Sequence, residues 1–203
     1  MQKLIAAVFV AAALTMIVPS VAGATSTPSL PSGVDQAYLA DSAGNPQNGT
    51  VELTGALTYN GAATITCTAN VFDVDYDDAG LAAITSYAAG GCSVAGFPNC
   101  PVDVTPVNLP WGAAFGHDTS TGDDRLYINV SLNTTFTAGV PTCPAPAGTY
   151  SANGVISPRV FISGTTITVS FGAGSGSITG PLGPATLGGG NGGTVPSGSQ
   201  IVF

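Results

Sequence analysis

Apolar and polar residues alternate through the first half of the chain in a way that predicts strands. Residues 51–59 (VELTGALTY) alternate with the two-residue period of a strand buried on one face. Asn60-Gly61 follows, and this dipeptide suits the positive φ angles of a tight hairpin turn. Residues 63–77, rich in Thr, Val, Ile and aromatics, and residues 81–87 predict a second hairpin that turns at Asp78-Ala79-Gly80. Two hairpins in succession favour an antiparallel sheet.

The second half carries the clearest strand pattern, in residues 125–136 (RLYINVSLNTTF). Residues 160–171 (VFISGTTITVSF) predict a further strand, whereas residues 90–108, with two cysteines and three prolines, read as a loop. Many short strands separated by turns are typical of an all-β fold, here an antiparallel β-sandwich or Greek-key barrel. The residues of 125–136 expected to share one buried face are Leu126, Ile128, Val130 and Leu132.

The N-terminus has the pattern of a secretory signal. One positive charge at Lys3 precedes an apolar run, and small residues before and at Ala24 favour cleavage there. A retained membrane anchor is the alternative, but the run is short for a span of about 20 residues. No later stretch is apolar enough to span a membrane. We expect four regions: signal peptide, 1–24; flexible arm and first edge segment, 25–48; β-domain, 49–171; Gly-rich segment ending in an apolar strand, 172–203.

The Gly-rich C-terminal segment differs in composition from the rest. Eleven of its thirty-two residues are glycine, and residues 188–193 (GGGNGG) predict little structure by themselves. Residues 200–203 (QIVF) nevertheless resemble a strand, so we expect a flexible tether carrying a terminal strand. That strand either completes the same domain as an edge strand or inserts into a neighbouring subunit.

Charge narrows the choice of partners. The formal net charge is −8, and loss of Lys3 with the signal leaves two arginines against eleven carboxylates, a net charge of −9. Such a chain cannot neutralise phosphates, which argues against nucleic acid and anionic lipid surfaces as partners. Charged residues make up only 7% of the chain while 44% are hydrophobic, so the middle of the chain is expected to fold rather than remain disordered.

The four cysteines favour two disulfides. An even number in an exported chain is typical of oxidised pairs, and three pairings remain open. Zinc ligation is the alternative, but the closest pair is separated by seven residues, which is wider than the usual zinc spacing. The disulfide candidates are Cys67, Cys92, Cys100 and Cys143.

An acidic run at residues 73–78 (DVDYDD) is the one candidate cation site. It lacks the glycine and glutamate that the helix-loop-helix calcium motif requires at its sixth and twelfth positions. Alternation instead places Asp73, Asp75 and Asp77 on a solvent face. A speculative calcium site at these three carboxylates is kept as the alternative, and no cofactor is expected.

Residues that could serve catalysis or sugar binding are few. The loop around His117 contains serine and carboxylates, but no nucleophile elbow accompanies it, so a surface hairpin loop is favoured. Glu52 is the only glutamate, which argues against a paired-carboxylate glycosidase. Trp111 is expected to plug the core after a proline-bounded loop, with surface or ligand contact as the alternative. We therefore expect a protein that is not an enzyme.

Several short motifs, in order, resemble the bacterial alkane oxidation protein activator group, small secreted proteins linked to biofilm surfaces. The similarity covers roughly Leu57 to Cys143. The resemblance implies a non-catalytic protein and carries over no enzymatic residue. The matching elements are Cys67-Thr68-Ala69-Asn70-Val71, a Gly80-centred hairpin returning through Ile84-Thr85-Ser86, Cys100, Leu109-Pro110-Trp111 and Cys143.

The sequence thus favours a secreted or cell-surface β-protein that attaches to surfaces or contacts hydrophobic material. Its expected partners are hydrophobic or abiotic surfaces, or other matrix or cell-surface components, and self-association is open. A self-assembling fibre or coat subunit that uses residues 201–203 in trans is one alternative. A polysaccharide-binding or hydrolytic β-sandwich is the other.

Overall fold

The all-β prediction is confirmed. A computed structural model describes residues 26–203, and in that range the chain forms fourteen strands and no helix, so no described helix could span a bilayer. The predicted signal peptide lies outside the described residues. The strands are β1 Val34–Gln36, β2 Tyr38–Ala40, β3 Gly49–Asn60, β4 Thr64–Tyr76, β5 Leu81–Val94, β6 Val102–Pro106, β7 Trp111–Asp118, β8 Asp123–Phe136, β9 Gly148–Ile156, β10 Arg159–Ser163, β11 Thr166–Phe171, β12 Ser177–Gly180, β13 Gly183–Thr194 and β14 Gln200–Val202.

Twelve strands form one antiparallel sheet that closes into an eight-stranded barrel. The ring runs β3, β4, β5, β7, β8, β10, β11 and β13, and β13 pairs again with β3. Short strands lie end to end with ring strands: β6 pairs with β8 beyond β7, β9 pairs with β8 beyond β10, and β12 pairs with β13 beyond β11. In the ring, β3–β4, β4–β5, β7–β8 and β10–β11 are consecutive in the chain, whereas one short strand intervenes between β5 and β7, between β8 and β10 and between β11 and β13. The structure thus confirms an all-β antiparallel fold and shows a closed barrel, while the Greek-key connection stays a prediction.

The predicted inward face of residues 125–136 is confirmed in β8. Its alternate apolar residues are each at most 5% exposed and belong to a single hydrophobic core inside the barrel. In β4 the same alternation buries Phe72, Val74 and Tyr76. Because successive side chains of a strand point to opposite faces, these patterns place one apolar row of each strand in the barrel interior.

Three loop and strand boundaries differ from expectation. Residues 160–171 form two strands rather than one, because Gly164 adopts a φ of +62° and reverses the chain between β10 and β11. Strand β5 continues to Val94, beyond the predicted end at residue 87, because β4 pairs along its full length. Residues 102–106 of the predicted loop form β6.

The expectation that residues 188–193 have little structure is wrong for the folded chain. They belong to β13, which pairs with β3 on one side and β11 on the other. Glycine is required here because the strands approach closely: a Cβ on Gly193 would lie 2.3 Å from the carbonyl oxygen of Glu52, and one on Gly55 would lie 2.2 Å from that of Gly190. Sequence periodicity cannot show this, because glycine carries no side chain to alternate.

The terminal segments lie against one end of the barrel. The side-chain amide of Gln36 donates to the backbone carbonyls of Gly80 and Phe115, which ties the segment containing β1 and β2 to the β4–β5 turn and to β7. The C-terminal strand β14 pairs with β2 of the same chain, and Phe203 stacks on His117 with ring centroids 3.6 Å apart. We call this the closed end of the barrel.

The prediction of two disulfides is confirmed, and the structure supplies their pairing. Cys67 bonds to Cys92, its directly opposed neighbour in the β4–β5 ladder. Cys100 bonds to Cys143, which joins the loop between β5 and β6 to the loop between β8 and β9. No described cysteine is free. Paired cysteines are typical of chains that fold in an oxidising compartment.

Candidate functional site

The end of the barrel opposite the closed end contains an apolar pocket, which we call the mouth pocket. Turns from three separate parts of the chain surround it: the β3–β4 turn, the β8–β9 loop and the β12–β13 turn. Its main apolar side chains are Tyr59, Ile65, Leu132, Phe136, Ala145, Tyr150, Ala152, Ile178, Leu182 and Ala185, and Gly61, Gly180 and Gly183 border them.

The β8–β9 loop forms one wall of the mouth pocket and is held in place by several contacts. Cys143 fixes it to Cys100, and Ala145 beside it is only 7% exposed. The Tyr150 hydroxyl donates to the Pro146 carbonyl at 2.9 Å. The Tyr150 ring packs edge-on against Phe136 with centroids 5.9 Å apart. The wall is therefore covalently tethered and braced by an aromatic pair.

Beneath the pocket, a chain of hydrogen bonds links side chains of the neighbouring strands β3, β4 and β5. Asn70 donates its amide to the Cys67 carbonyl at 2.7 Å, which orients its Oδ1 toward the Tyr87 hydroxyl. Tyr87 donates to this Oδ1 at 2.9 Å, and its hydroxyl also contacts that of Tyr59. Since Tyr87 has a single proton, Tyr59 is the donor of the second bond. The chain thus runs in one direction, from Tyr59 through Tyr87 to Asn70.

Burial makes both phenols hard to ionise. Desolvation raises the pKa of Tyr87 to about 12, and the hydrogen bond from Tyr59 partly opposes that shift. The pKa of Tyr59 lies well above its usual value, first because of burial and then because of the neighbouring Tyr87. The phenols therefore act as neutral hydrogen-bonding groups in the floor and not as acid–base groups at ordinary pH.

The mouth pocket suits an uncharged apolar ligand. No Asp, Glu, Lys, Arg or His side chain lines it, and its volume is about 100 Å³. A dry apolar cavity of about 150 Å³ is large enough for benzene, so this smaller pocket has room for no more than a short apolar segment. A smaller void of about 30 Å³ lies deeper in the barrel, and Tyr59 and Leu132 border both spaces.

Two of the three predicted calcium ligands, Asp73 and Asp75, lie in β4, and Asp77 directly follows that strand. Each carboxylate accepts hydrogen bonds from nearby groups. Asp73 accepts from the Ser86 hydroxyl at 2.6 Å, and Asp75 accepts from the Thr50 hydroxyl at 2.7 Å. Asp77 accepts the backbone amides of the following turn. Within residues 26–203 no group of three His, Cys, Asp or Glu side chains is placed to hold a metal ion. Local hydrogen bonding therefore accounts for these carboxylates.

Trp111 is a buried side chain. It is 4% exposed, its indole nitrogen donates to the Val107 carbonyl at 2.7 Å, and its ring lies 5.7 Å from that of Tyr87. A buried ring offers no open face on which a sugar could stack, although Trp111 does form the inner wall of an outer cleft described below.

The groups around His117 do not assemble a nucleophilic triad. His117 pairs with Asp124 at 2.8 Å, but the Ser120 hydroxyl donates to Asp118 instead of to the histidine. These hydrogen bonds from Ser120 lower the pKa of Asp118 to about 2. The serine is thus occupied in the β7–β8 turn, and His117 is covered by Phe203.

Both arginines of the described chain share one carboxylate. Asp123 lies 3.2 Å from Arg125 and 2.8 Å from Arg159, which oppose one another in the β8–β10 pairing. Arg125 is 8% exposed and also donates to the Ser157 and Gly174 carbonyls. The cluster therefore pins the β9–β10 and β11–β12 links to β8 and serves the fold.

Fold and site together define a disulfide-bonded, eight-stranded antiparallel barrel with a closed end and an uncharged apolar mouth. Barrels of eight strands are just wide enough to be filled by side chains or to hold one small ligand. A scan against protein-family models found no match, and searches of curated proteins and of solved structures found none.

Proposed function

We propose that this protein is a non-catalytic, secreted or cell-surface barrel that contacts hydrophobic material and takes an uncharged apolar chain into its mouth pocket. The observation that carries the proposal is the charge-free and largely apolar lining of that pocket, in which Thr134 and Ser151 are the hydroxyl-bearing aliphatic residues. Barrel mouths are a preferred location for small-ligand sites, and burial of apolar surface provides the binding energy there.

Two further features support the proposal. The disulfides suit a chain that folds in an oxidising environment outside the cytoplasm. The resemblance to the alkane oxidation protein activator group implies contact with alkanes or with biofilm surfaces. The partners proposed are hydrophobic or abiotic surfaces, or apolar components of an extracellular matrix.

The test compares two variants that place the same charge inside and outside the pocket. Leu182 lines the pocket in the β12–β13 turn, whereas Val140 is 66% exposed and does not line it. In Leu182→Asp the carboxylate has to be desolvated when an apolar chain enters, so binding of purified protein to hexadecane droplets should fall at least tenfold. Val140→Asp should bind as the unchanged protein does.

Thermal unfolding of each variant separates a binding defect from loss of the fold. The proposal is contradicted if the unchanged protein does not bind hexadecane, or if both aspartate variants lose binding equally while remaining folded. The first result would remove the function itself, and the second would place the contact outside the mouth pocket.

A further inference from the structure

A second cleft lies on the outer face of the barrel, away from the mouth pocket. Three neighbouring stretches of chain each contribute an asparagine to it: Asn108 from the link between β6 and β7, Asn129 from β8 and Asn153 from β9. We call it the asparagine cleft. Its volume is about 380 Å³, which lies in the range of about 300–1,000 Å³ that is usual for small-ligand sites.

The sheet register brings these side chains together. Ser131 of β8 lies directly opposite Asn153 of β9, and Asn129 lies opposite Val155. On the other side of β8, the backbone amide of Val107 donates to the Ser131 carbonyl at 2.9 Å, which places the next residue, Asn108, beside the same strand. Three adjacent stretches therefore present amides side by side.

Asn108 adopts an uncommon backbone conformation. Its φ of +55° makes it the one non-glycine residue with positive φ in the described chain. Asparagine tolerates this left-handed region better than most residues, yet the conformation still costs free energy and such residues cluster at ligand sites. The fold therefore maintains a costly conformation at the edge of this cleft.

The side chains that line the cleft are uncharged and can form many hydrogen bonds. Each amide offers two donors and an acceptor oxygen, and within residues 26–203 the side chains of Asn108 and Asn153 form no hydrogen bond with the protein. Asn129 donates to the backbone carbonyl of Ser26, which also borders the cleft, so the free amides offered to a ligand are those of Asn108 and Asn153. Val155 is 49% exposed and adds an apolar contact.

The polar surface continues from the cleft along β8 and β9. The Ser151 hydroxyl donates to Asn133 at 2.6 Å, and the Thr135 and Thr149 hydroxyls lie 3.0 Å apart. Pairs of this kind recur every second residue, or about 6.8 Å along a strand. The surface therefore offers a row of hydroxyl and amide groups to an extended ligand.

We propose that the asparagine cleft binds a neutral glycan chain. Sugar hydroxyls both donate and accept, as amides do, and the exposed Val155 suits the apolar C–H face of a sugar ring. A formal net charge of −8 disfavours acidic polysaccharides, because they would be repelled over the whole surface. This site is independent of the mouth pocket and does not use Trp111 as a stacking platform.

Affinity electrophoresis of the purified protein in gels containing dextran, mannan or alginate tests the proposal. Asn108→Gly keeps the positive φ but deletes the amide, and Asn153→Ala deletes a second amide on a regular strand. Each lost hydrogen bond should weaken retardation by a neutral glycan about fivefold, and the double variant by about 25-fold. Asn99→Ala, at an exposed asparagine outside the cleft, is the matched control and should behave as the unchanged protein.

Thermal unfolding of each variant confirms that the barrel remains folded during the comparison. The proposal holds if dextran or mannan retards the unchanged protein and the cleft variants lose that retardation. It is overturned if no neutral glycan retards the protein, if alginate does so better, or if the folded cleft variants are retarded as strongly as the Asn99→Ala control.

Discussion

The one-way chain of hydrogen bonds in the barrel interior predicts unequal effects from two matched Tyr→Phe substitutions. Both remove a single buried hydroxyl from a residue of the core. In Tyr87→Phe the Asn70 Oδ1 loses its donor and the Tyr59 hydroxyl loses its acceptor, so two buried polar groups are left without partners. In Tyr59→Phe the Tyr87 hydroxyl still donates to Asn70, and only one acceptor position on Tyr87 is vacated.

The magnitudes follow from the cost of unsatisfied polar groups. Each buried group left without its partner costs about 1–3 kcal/mol, so the two groups together should lower the free energy of unfolding of Tyr87→Phe by about 2–6 kcal/mol. Loss of one ordinary hydrogen bond costs about 0.5–1.5 kcal/mol, which is the expectation for Tyr59→Phe. The two variants differ in their expected loss of stability because Tyr87 is the donor to Asn70 Oδ1. The Asn70 amide is held in the orientation that accepts this bond, since its nitrogen donates to the Cys67 carbonyl.

Urea unfolding monitored by Trp111 fluorescence measures both values, since Trp111 packs against Tyr87. Disulfides must remain intact so that the transition stays comparable between variants. An unfolding free energy that falls as much for Tyr59→Phe as for Tyr87→Phe would show that the hydrogen bonds do not run from Tyr59 through Tyr87 to Asn70.

Three other predictions concern the pH dependence of stability, the disulfide that holds the β8–β9 loop, and the glycine in the β4–β5 turn. The pKa of Tyr87 rises from 10 in the unfolded chain to about 12 in the folded protein, so above pH 10 the unfolded state is favoured by ionisation of this phenol. The free energy of unfolding should therefore be unaffected by Tyr87 below pH 10 and fall by about 1.4 kcal/mol per pH unit between pH 10 and 12. Urea denaturation at a series of pH values, with Tyr87→Phe as the control, measures this loss. Replacing Cys100 and Cys143 together by alanine removes a disulfide between residues 43 apart in the chain and should lower the free energy of unfolding by about 4 kcal/mol. The same change should weaken binding of hexadecane at the mouth pocket, because the β8–β9 loop that forms one wall is no longer tethered. Unchanged binding would show that this loop is not needed for the pocket. Gly80 and Gly183 both have positive φ, +79° and +87°, but a Cβ on Gly80 would lie 1.9 Å from a backbone oxygen whereas one on Gly183 would meet nothing within 4 Å. Gly183→Ala should therefore lower the free energy of unfolding by about 1–2 kcal/mol, and Gly80→Ala by clearly more. Equal melting temperatures for the two variants would show that the close contact at Gly80 does not matter.

The sequence predicted the strands whose side chains alternate. Strand β8 and the Asp73–Asp77 run of β4 both show a row of apolar residues inside and polar residues outside. The strand at residues 188–193 escapes prediction because glycine carries no side chain whose polarity could reveal a face. Their strand is specified by close contact with β3, and that contact is a long-range property that local patterns do not report.

The candidate sites were harder to predict than the strands. The mouth pocket is lined largely by alanine, glycine and aliphatic residues from distant turns, and each of them alone resembles ordinary core or turn sequence. The asparagine cleft depends on the register of β8 against β9 and on the path of the link before β7. Trp111, expected to plug the core with ligand contact as the alternative, is buried and packs on Tyr87.

The position of both arginines inside strands has a consequence for resistance to proteases. Enzymes of the trypsin type cut after lysine or arginine, and within residues 26–203 those residues are Arg125 and Arg159 alone. Both following peptide bonds lie inside strands, and the Leu126 amide is bonded to the Pro158 carbonyl at 3.0 Å. A protease must draw an extended segment into its active site, so the folded barrel presents such enzymes with no cleavable bond until β8 or β10 detaches.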